Sequence, residues 1–285
     1  MQLRTVPVTP RSSLRLRPAI ALFALGLAAI GALSVIYRDF AFDWQPVPAF
    51  PGRPALAVVC GLILLVTSAA LFFKGTAVIA SRALLVILVA WLCLKVPAVI
   101  TAPLVEGVWI GFGEVGMLLG GGLALFASLS ELRDAQLFGH LTGQRGMRIA
   151  QMIFGLAVIP VGLGHIFYVD ITTSLVPPWL PFRHELAYLT GVAQIICGLG
   201  IVLAVASRAA ALVEASMVAL FAFLVWGPAS WLASVPKLAG TPPGMRFPLT
   251  AFLITWTVGA AALLIAGDRD SGAVGAPIAD PRIPE

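Results

Sequence analysis

The stretch Leu175–Ala210, LVPPWLPFRHELAYLTGVAQIICGLGIVLAVASRAA, decides how this chain folds, because a looser copy of it lies about 130 residues earlier. Seven residues recur at offsets of 130 or 131: Tyr37, Asp39, Pro48, Pro51, Arg53, Leu56 and Gly61 match Tyr168, Asp170, Pro178, Pro181, Arg183, Leu186 and Gly191. After a contraction of four residues, Ser81, Arg82 and Ala83 recur as Ser207, Arg208 and Ala209. Self-similarity at a fixed period indicates a repeated structural unit. We therefore predict that the chain contains two tandem copies of one structural module.

The composition indicates a protein that lives in lipid. Apolar residues make up 60% of the chain and charged residues only 11%, whereas soluble domains carry roughly 25% charged residues. A membrane-spanning helix needs about 20 mostly apolar residues, and eight segments qualify: roughly 18–37, 54–73, 82–100, 107–128, 148–168, 185–205, 209–227 and 247–266. These lengths exclude barrel strands, which run about 10 residues. The prediction is an all-α membrane protein with two parallel tandem four-helix bundles.

The net charge of +5 comes mostly from cations in the loops on one side of the membrane, and it does not indicate nucleic-acid binding. With the amino terminus in the cytoplasm, twelve cations lie inside: Arg4, Arg11, Arg15, Arg17, Lys74, Arg82, Arg133, Arg145, Arg148, Arg208, Arg269 and Arg282. Five lie outside: Arg38, Arg53, Arg183, Lys237 and Arg246. This asymmetry obeys the positive-inside rule. We predict a multi-pass protein of a bacterial inner membrane with both termini in the cytoplasm.

The repeat divides the chain into modules. We predict a cytoplasmic tail over 1–17, a first membrane module over 18–128, a solvated cytoplasmic linker over 129–147, a second module over 148–266 and a tail over 267–285. The first span resembles a secretory signal, with a basic leader and small residues near its end. Because the span beginning at Arg148 occupies the same place in the second module, we expect the first span to be retained.

The outward loop of each module is rich in proline, which forbids a helix through it. Trp44 and Trp179 occupy these loops. Amphipathic indole rings prefer the membrane interface, so we expect both to be interfacial anchors that cap the bundle, with a lid over a ligand as the alternative.

Three features of the second module resemble the DoxX-like family of small bacterial proteins with four membrane helices: VPPWLP at 176–181, the run from Gly191 through Gln194 and Cys197 to Gly200, and the basic turn Ser207-Arg208. The resemblance covers about 147–229 and more faintly 17–102. It implies an association with membrane redox chemistry and with quinones. The family commonly has a glutamate three residues after the glycine of its second helix, where this chain has Gln194 and, in the first module, Leu64.

Charges inside a membrane are costly and by default functional. Lys95 and Glu114 lie in neighbouring spans at similar depths by the helical rise. They form either a structural ion pair, or a proton or ligand site at Glu114, or an unpaired arrangement in which Lys95 reaches the surface. Neither charge recurs in the second module, whose third span instead carries Glu214, nearer the cytoplasmic side.

The string from Gly111 to Gly116 matches GxGxxG by letter, but a dinucleotide site needs those glycines at a strand-to-helix turn. Gly116 and Gly120 instead form a GxxxG pair, which predicts close packing of helices.

The outer face of the second module holds His165, Asp170, His184 and Glu185, a set that is typical of interfacial anchoring or, alternatively, of a metal or proton site. Their spacing matches no metal motif, and no metal ligand set is predicted. Cys60, Cys93 and Cys197 form no CxxC pair, so we expect buried, inert thiols.

Three functions agree with these patterns. The first is an accessory subunit of a membrane redox or envelope system, without stand-alone enzymatic activity, whose partners are lipid and a membrane protein. The second is a small-molecule or proton-coupled transporter on a parallel repeat. The third is a structural or assembly partner. A quinone cofactor is implied by the family resemblance only.

Overall fold

The structure is a computed structural model that describes residues 11–41, 43–228 and 245–267. Within these residues it is all-helical. The helices are α1 Arg11–Tyr37, α2 Arg53–Ala70, α3 Ala77–Cys93, α4 Val96–Thr101, α5 Glu106–Leu129, α6 Leu132–Phe138, α7 Gly143–Phe167, α8 Val169–Leu175, α9 Arg183–Val202, α10 Ser207–Leu220 and α11 Arg246–Ala266. A 3₁₀ turn follows α6 at Gly139–Leu141, and a π-helical segment follows α10 at Phe221–Trp226. Most of the predicted terminal tails, and Lys237, lie outside the described residues.

Eight helices of the described residues are long and apolar enough to cross a membrane. The chain passes through the bundle in α1, α2, α3 with α4, α5, α7, α9, α10 with its π segment, and α11. Only 17% of the apolar window around α3 is buried, against 78% for α5 and 67% for α11. Helices α5 and α11 therefore form the centre of the bundle. Helix α3 lies at its periphery, where most of its apolar side chains face outward.

The third span of each half departs from α-helical geometry. We expected one continuous helix over 82–100, but the helix ends at Cys93 and resumes at Val96, with Lys95 as the cap residue between the two parts. Pro97 explains the break, because proline lacks an N–H and disfavours helical geometry in the residue before it. In the second half α10 gives way at Phe221 to the π segment. Phe221 is 126 residues after Lys95, the same offset that joins Ser81 to Ser207.

The helices form one interlocked bundle. Sequential spans pack together within each half. The first and last spans of a half, which would close a four-helix bundle, pack weakly or not at all: among the described residues α1 makes little or no contact with α5, and α7 contacts α11 only slightly. Instead α5 packs against α7, α11 packs against α1, and α5 and α11 pack against each other. Their side chains form a single hydrophobic core. The last span of each half thus packs on the first span of the other half.

Glycines allow the first two spans of each half to cross in the same way. A Cβ built on Gly31 would lie 2.7 Å from the carbonyl oxygen of Gly61, and a Cβ on Gly61 would lie 2.7 Å from that of Gly31. Gly162 and Gly191 show the same reciprocal 2.7 Å approach in the second half. The α1–α2 and α7–α9 crossings are therefore equivalent, at offsets of 131 and 130 residues.

The GxxxG prediction is confirmed in the centre of the bundle. A Cβ on Gly116 would lie 3.0 Å from Cβ of Ala157, and a Cβ on Gly120 would lie 3.0 Å from the backbone nitrogen of Phe154. These glycines let α5 approach α7 closely.

We predict a solvated linker between the halves, but part of the linker is buried. Asp134 of α6 is 1% exposed and accepts two hydrogen bonds from Arg82 of α3, at 2.7 and 2.9 Å. Glu131 and Asp134 also form a capping box at the start of α6. The linker is therefore fastened to the first half by a bidentate ion pair.

Candidate functional site

The loop between α1 and α2 enters the bundle through Trp44. This side chain is 5% exposed, stacks on Phe247 of α11 with ring centroids 5.6 Å apart, and donates a hydrogen bond from Nε1 to Glu114 Oε2 at 2.7 Å. Trp91 of α3 donates a hydrogen bond to the Trp44 carbonyl oxygen at 2.6 Å. The prediction of an interfacial anchor is wrong for Trp44, because Glu114 offers its N–H a partner inside the bundle. Trp179, in contrast, is 69% exposed.

Lys95 holds the residue before Trp44. Its Nζ donates a hydrogen bond to the Asp43 carbonyl oxygen at 2.7 Å, and its side chain is buried. Of the ion pairs found among the described residues within 4.0 Å, none joins Lys95 to Glu114. The predicted structural ion pair is therefore wrong, as is the alternative of a lysine without a partner. The two charges instead bind adjacent residues of the same loop.

A cavity of 490 Å³ opens beside this loop. Its lining includes Lys95 and Arg53, together with Asp43, Gln45 and apolar residues of α4 and α5. Lys95 has three N–H donors and one of them is engaged with Asp43. The cavity can therefore offer donors and positive charge to an anionic or carbonyl-bearing group.

Asp39 joins the two halves at this face of the bundle. It pairs with Arg53 at the start of α2 and with Arg246 at the start of α11, the latter at 2.8 Å. Arg246 also donates to the Phe40 carbonyl oxygen at 2.6 Å. Burial acts to raise the pKa of Asp39, but the hydrogen bond and charge of Arg246, with help from the Phe40 N–H and Arg53, outweigh it and lower that pKa below its usual value. Asp39 is therefore a carboxylate that fixes where α11 begins.

The second half carries a different polar site, inside the bundle. Gln194 of α9 is 2% exposed and Glu214 of α10 is fully buried. Gln194 Nε2 donates to Glu214 Oε1 at 3.3 Å, while Gln194 Oε1 and Glu214 Oε2 are buried without a hydrogen-bond partner. The second half thus brings an amide from α9 and a carboxylate from α10 together inside the bundle.

The predicted outer-face set does not gather into one site. His165 Nδ1 lies 2.9 Å from Thr190 Oγ1 within the α7–α9 contact, and its ring lies 5.5 Å from that of Phe221. His184 is exposed and packs edge-on against Tyr188. Asp170 and Glu185 are exposed on α8 and α9. No group of three or more His, Cys, Asp or Glu residues that could hold a metal occurs among the residues described.

The cysteines differ from one another. Cys197 is buried as expected, whereas Cys60 and Cys93 are exposed on the outside of the bundle, so the prediction of three buried thiols is wrong for two of them. Both lie on the peripheral helices α2 and α3, whose outward faces are apolar. Hydrophobicity alone does not distinguish a core position from one that faces lipid.

Sequence reasoning missed Trp91 and Arg246 as parts of the site. A signal for Trp91 was present, because it precedes Lys95 by four residues and residues at that spacing share a helix face. Arg246 had no local signal: its partner Asp39 lies 207 residues away.

The model of a family described as a domain of unknown function, DUF8561, matches residues 154–261. No curated protein matches the chain, and no solved structure matches it. The matched range begins within α7 and ends within α11, so it covers the last four spans of the chain.

Proposed function

We propose that this protein is an accessory, non-catalytic subunit of a membrane redox or envelope system, built by duplication of a DoxX-like module. One observation carries the proposal: the two halves interlock, with α5 on α7 and α11 on α1 around one core. A transporter whose halves rock needs a seam along which they can move. Here the contact between the halves contains the two most buried spans, which favours a rigid scaffold.

The charges of the first half support the same role. Lys95 and Glu114 each form a hydrogen bond with the loop around Trp44 and hold it in place. Charged side chains are costly inside a membrane, and here both of them serve to fix the position of this loop. A loop fixed in this way presents one shape at the face of the bundle, as a docking subunit requires.

Duplication is supported by the residue repeat and by the equivalent glycine crossings of the two halves. The DoxX-like assignment and a quinone as the associated cofactor rest on the resemblance of the second half. In this proposal the cavity beside Lys95 is where a quinone carbonyl would find a donor.

The proposed location is a bacterial inner membrane with both termini in the cytoplasm. The cation asymmetry of the loops supports this orientation, and eight crossings return the chain to its starting side. Alkaline phosphatase and green fluorescent protein fused after Glu285 test it. We expect fluorescence without phosphatase activity, and the opposite pattern would reverse the topology.

The accessory role is tested in the protein's own membranes. Tagged protein extracted in mild detergent should co-purify in fixed stoichiometry with a membrane oxidoreductase, and membranes from cells lacking the chain should reduce quinone more slowly. Complementation with Trp44→Phe, which loses the bond to Glu114, should restore less activity than complementation with Trp179→Phe, at an exposed position. A protein that purifies alone, from membranes whose quinone reduction does not depend on it, would refute the proposal. Co-purification without any effect on quinone reduction would favour a purely structural partner.

A transporter is the second candidate, favoured by the irregular third spans. The α3–α4 break at Lys95 and the π segment at Phe221 occupy corresponding positions of the two halves. Discontinuous helices at matching positions are where transporters of repeated architecture bind substrates. Purified protein in liposomes that catalyses uptake of a small anion, or proton flux reported by a trapped pH-sensitive dye, would favour this function over the accessory role.

A further inference from the structure

The contact between α9 and α10 contains a polar pair that the proposed function does not use. Gln194 and Glu214 are 2% and 0% exposed and are joined by one long hydrogen bond, from Gln194 Nε2 to Glu214 Oε1 at 3.3 Å. The other oxygen of each side chain, Gln194 Oε1 and Glu214 Oε2, is buried and has no partner.

A single proton can satisfy both unpartnered atoms. An ionised glutamate is only an acceptor, and an amide oxygen is also an acceptor, so in that state neither atom can satisfy the other. Buried polar atoms are almost always hydrogen-bonded. A proton on Glu214 Oε2 turns that oxygen into a donor, and a carboxylic acid and a primary amide can then exchange two hydrogen bonds in a closed ring.

We infer that Glu214 binds a proton and shares it with Gln194, so that the pair is a buried proton-binding site in the second half. The proton comes from water and no bond other than O–H is formed. This inference goes beyond the accessory role and does not depend on it.

The surroundings of the pair supply no opposite charge. No described cation forms an ion pair with Glu214 within 4.0 Å. On α9 the nearest titratable group is the buried Cys197, and on α10 it is Arg208, six residues away. The π segment and α11 after Arg246 contain no titratable residue. From α7, His165 lies against the ring of Phe221.

The first half shows that the fold does not require a polar pair here. At the repeat offsets of 130 and 126 residues, Gln194 and Glu214 correspond to Leu64 and Leu88, which are 4% and 0% exposed. Leucine at both positions is therefore compatible with this helix packing. Packing of the second and third spans therefore does not require the polar pair, which indicates that the pair has another role in the second half.

Infrared spectroscopy of the full chain in lipid nanodiscs tests the site. At neutral pH the carbonyl stretch of a protonated carboxyl group should be weaker in Glu214→Leu than in the wild-type protein, and it should keep its wild-type intensity in Glu185→Gln, a control at an exposed glutamate. Wild-type and Glu214→Leu spectra without a difference in this band would overturn the inference.

A second variant keeps Glu214 in place and tests the ring. Gln194→Leu should shift the carboxyl band to higher frequency, because the amide partner is gone; an unchanged band would overturn the shared proton. Replacing choline chloride with sodium chloride at fixed pH should leave the wild-type band unchanged. Its loss on adding sodium would show that a sodium ion occupies the site and would also overturn the inference.

Discussion

Replacing Gly191 by alanine tests the packing of the second half most directly. A Cβ at Gly191 would lie 2.7 Å from the Gly162 carbonyl oxygen and 2.8 Å from Cβ of His165. A carbon and a carbonyl oxygen approach to about 3.3 Å in favourable contacts, so α7 and α9 must separate by about 0.6 Å. The nearest obstacle is a backbone oxygen, and the next, His165 Cβ, is bonded directly to its own backbone, so neither can swing away as the end of a flexible side chain could.

Two effects of opposite sign decide the magnitude. Alanine gains about 1 kcal/mol over glycine in a helix interior. Overpacking costs typically about 1–3 kcal/mol, and separating packed helices by about half an ångström also weakens the dispersion contacts beside the methyl group. We expect a net destabilisation of about 1 kcal/mol or more, which lowers Tm by about 2–4 °C in a protein of this size.

The assay is thermal unfolding of the purified protein in detergent, followed by loss of the monodisperse peak in size-exclusion chromatography. Gly259→Ala is the matched control: it is also within a membrane helix, but its new Cβ would have no neighbour nearer than 3.7 Å, so it should keep or raise Tm. If Gly191→Ala is as stable as Gly259→Ala, the close crossing of α7 and α9 is wrong.

Three further predictions concern polar side chains that hold the helices, the Trp44 loop and the linker together. Because the pKa of Asp39 is lowered in the folded protein, its ion pairs contribute stability at pH values above the unfolded-state pKa of about 3.9, and this contribution is lost as the pH falls through the lower folded-state pKa. Asp39→Asn should therefore melt at a lower temperature than the wild type at neutral pH, and its melting temperature should no longer show this acid-dependent decrease. Asp170→Asn should match the wild type. Trp44→Phe keeps the apolar ring but leaves Glu114 without its indole donor, which should destabilise the protein by about 1–3 kcal/mol in thermal or denaturant unfolding; an unchanged midpoint would contradict the hydrogen bond. Asp134→Ala removes the buried carboxylate that holds the linker, so limited proteolysis should cleave the linker faster than in the wild type, and equal cleavage rates would show that the linker is held by other contacts.

The pattern of apolar residues determined more about this protein than any motif did. Eight lipid-length segments predicted the eight helices of the described residues that are long and apolar enough to cross a membrane, because in lipid each span must satisfy its backbone hydrogen bonds internally. Small residues predicted the closest contact of α5 with α7 correctly, since only glycine lets backbones approach that far. Both are local properties, which a sequence displays directly.

What the sequence did not determine is which partner each local feature finds. Lys95 and Glu114 are at similar depth, and depth alone suggested an ion pair, but the chain folds the Trp44 loop between them and offers each charge a partner on that loop. The sequence singled out Gln194, but only the packing of α9 on α10 placed Glu214 beside it.

The arrangement of the halves has the same explanation. Repetition and an even number of spans predicted two modules, and both closed bundles and interlocked ones satisfy that pattern equally well. The choice depends on which surfaces fit: α5 and α11 are small-residue helices that pack together at the centre and accept α7 and α1 on their outer sides. Hydrophobicity sets how many helices enter the membrane, whereas the shapes of their surfaces, matched across more than 100 residues of chain, decide which helices touch.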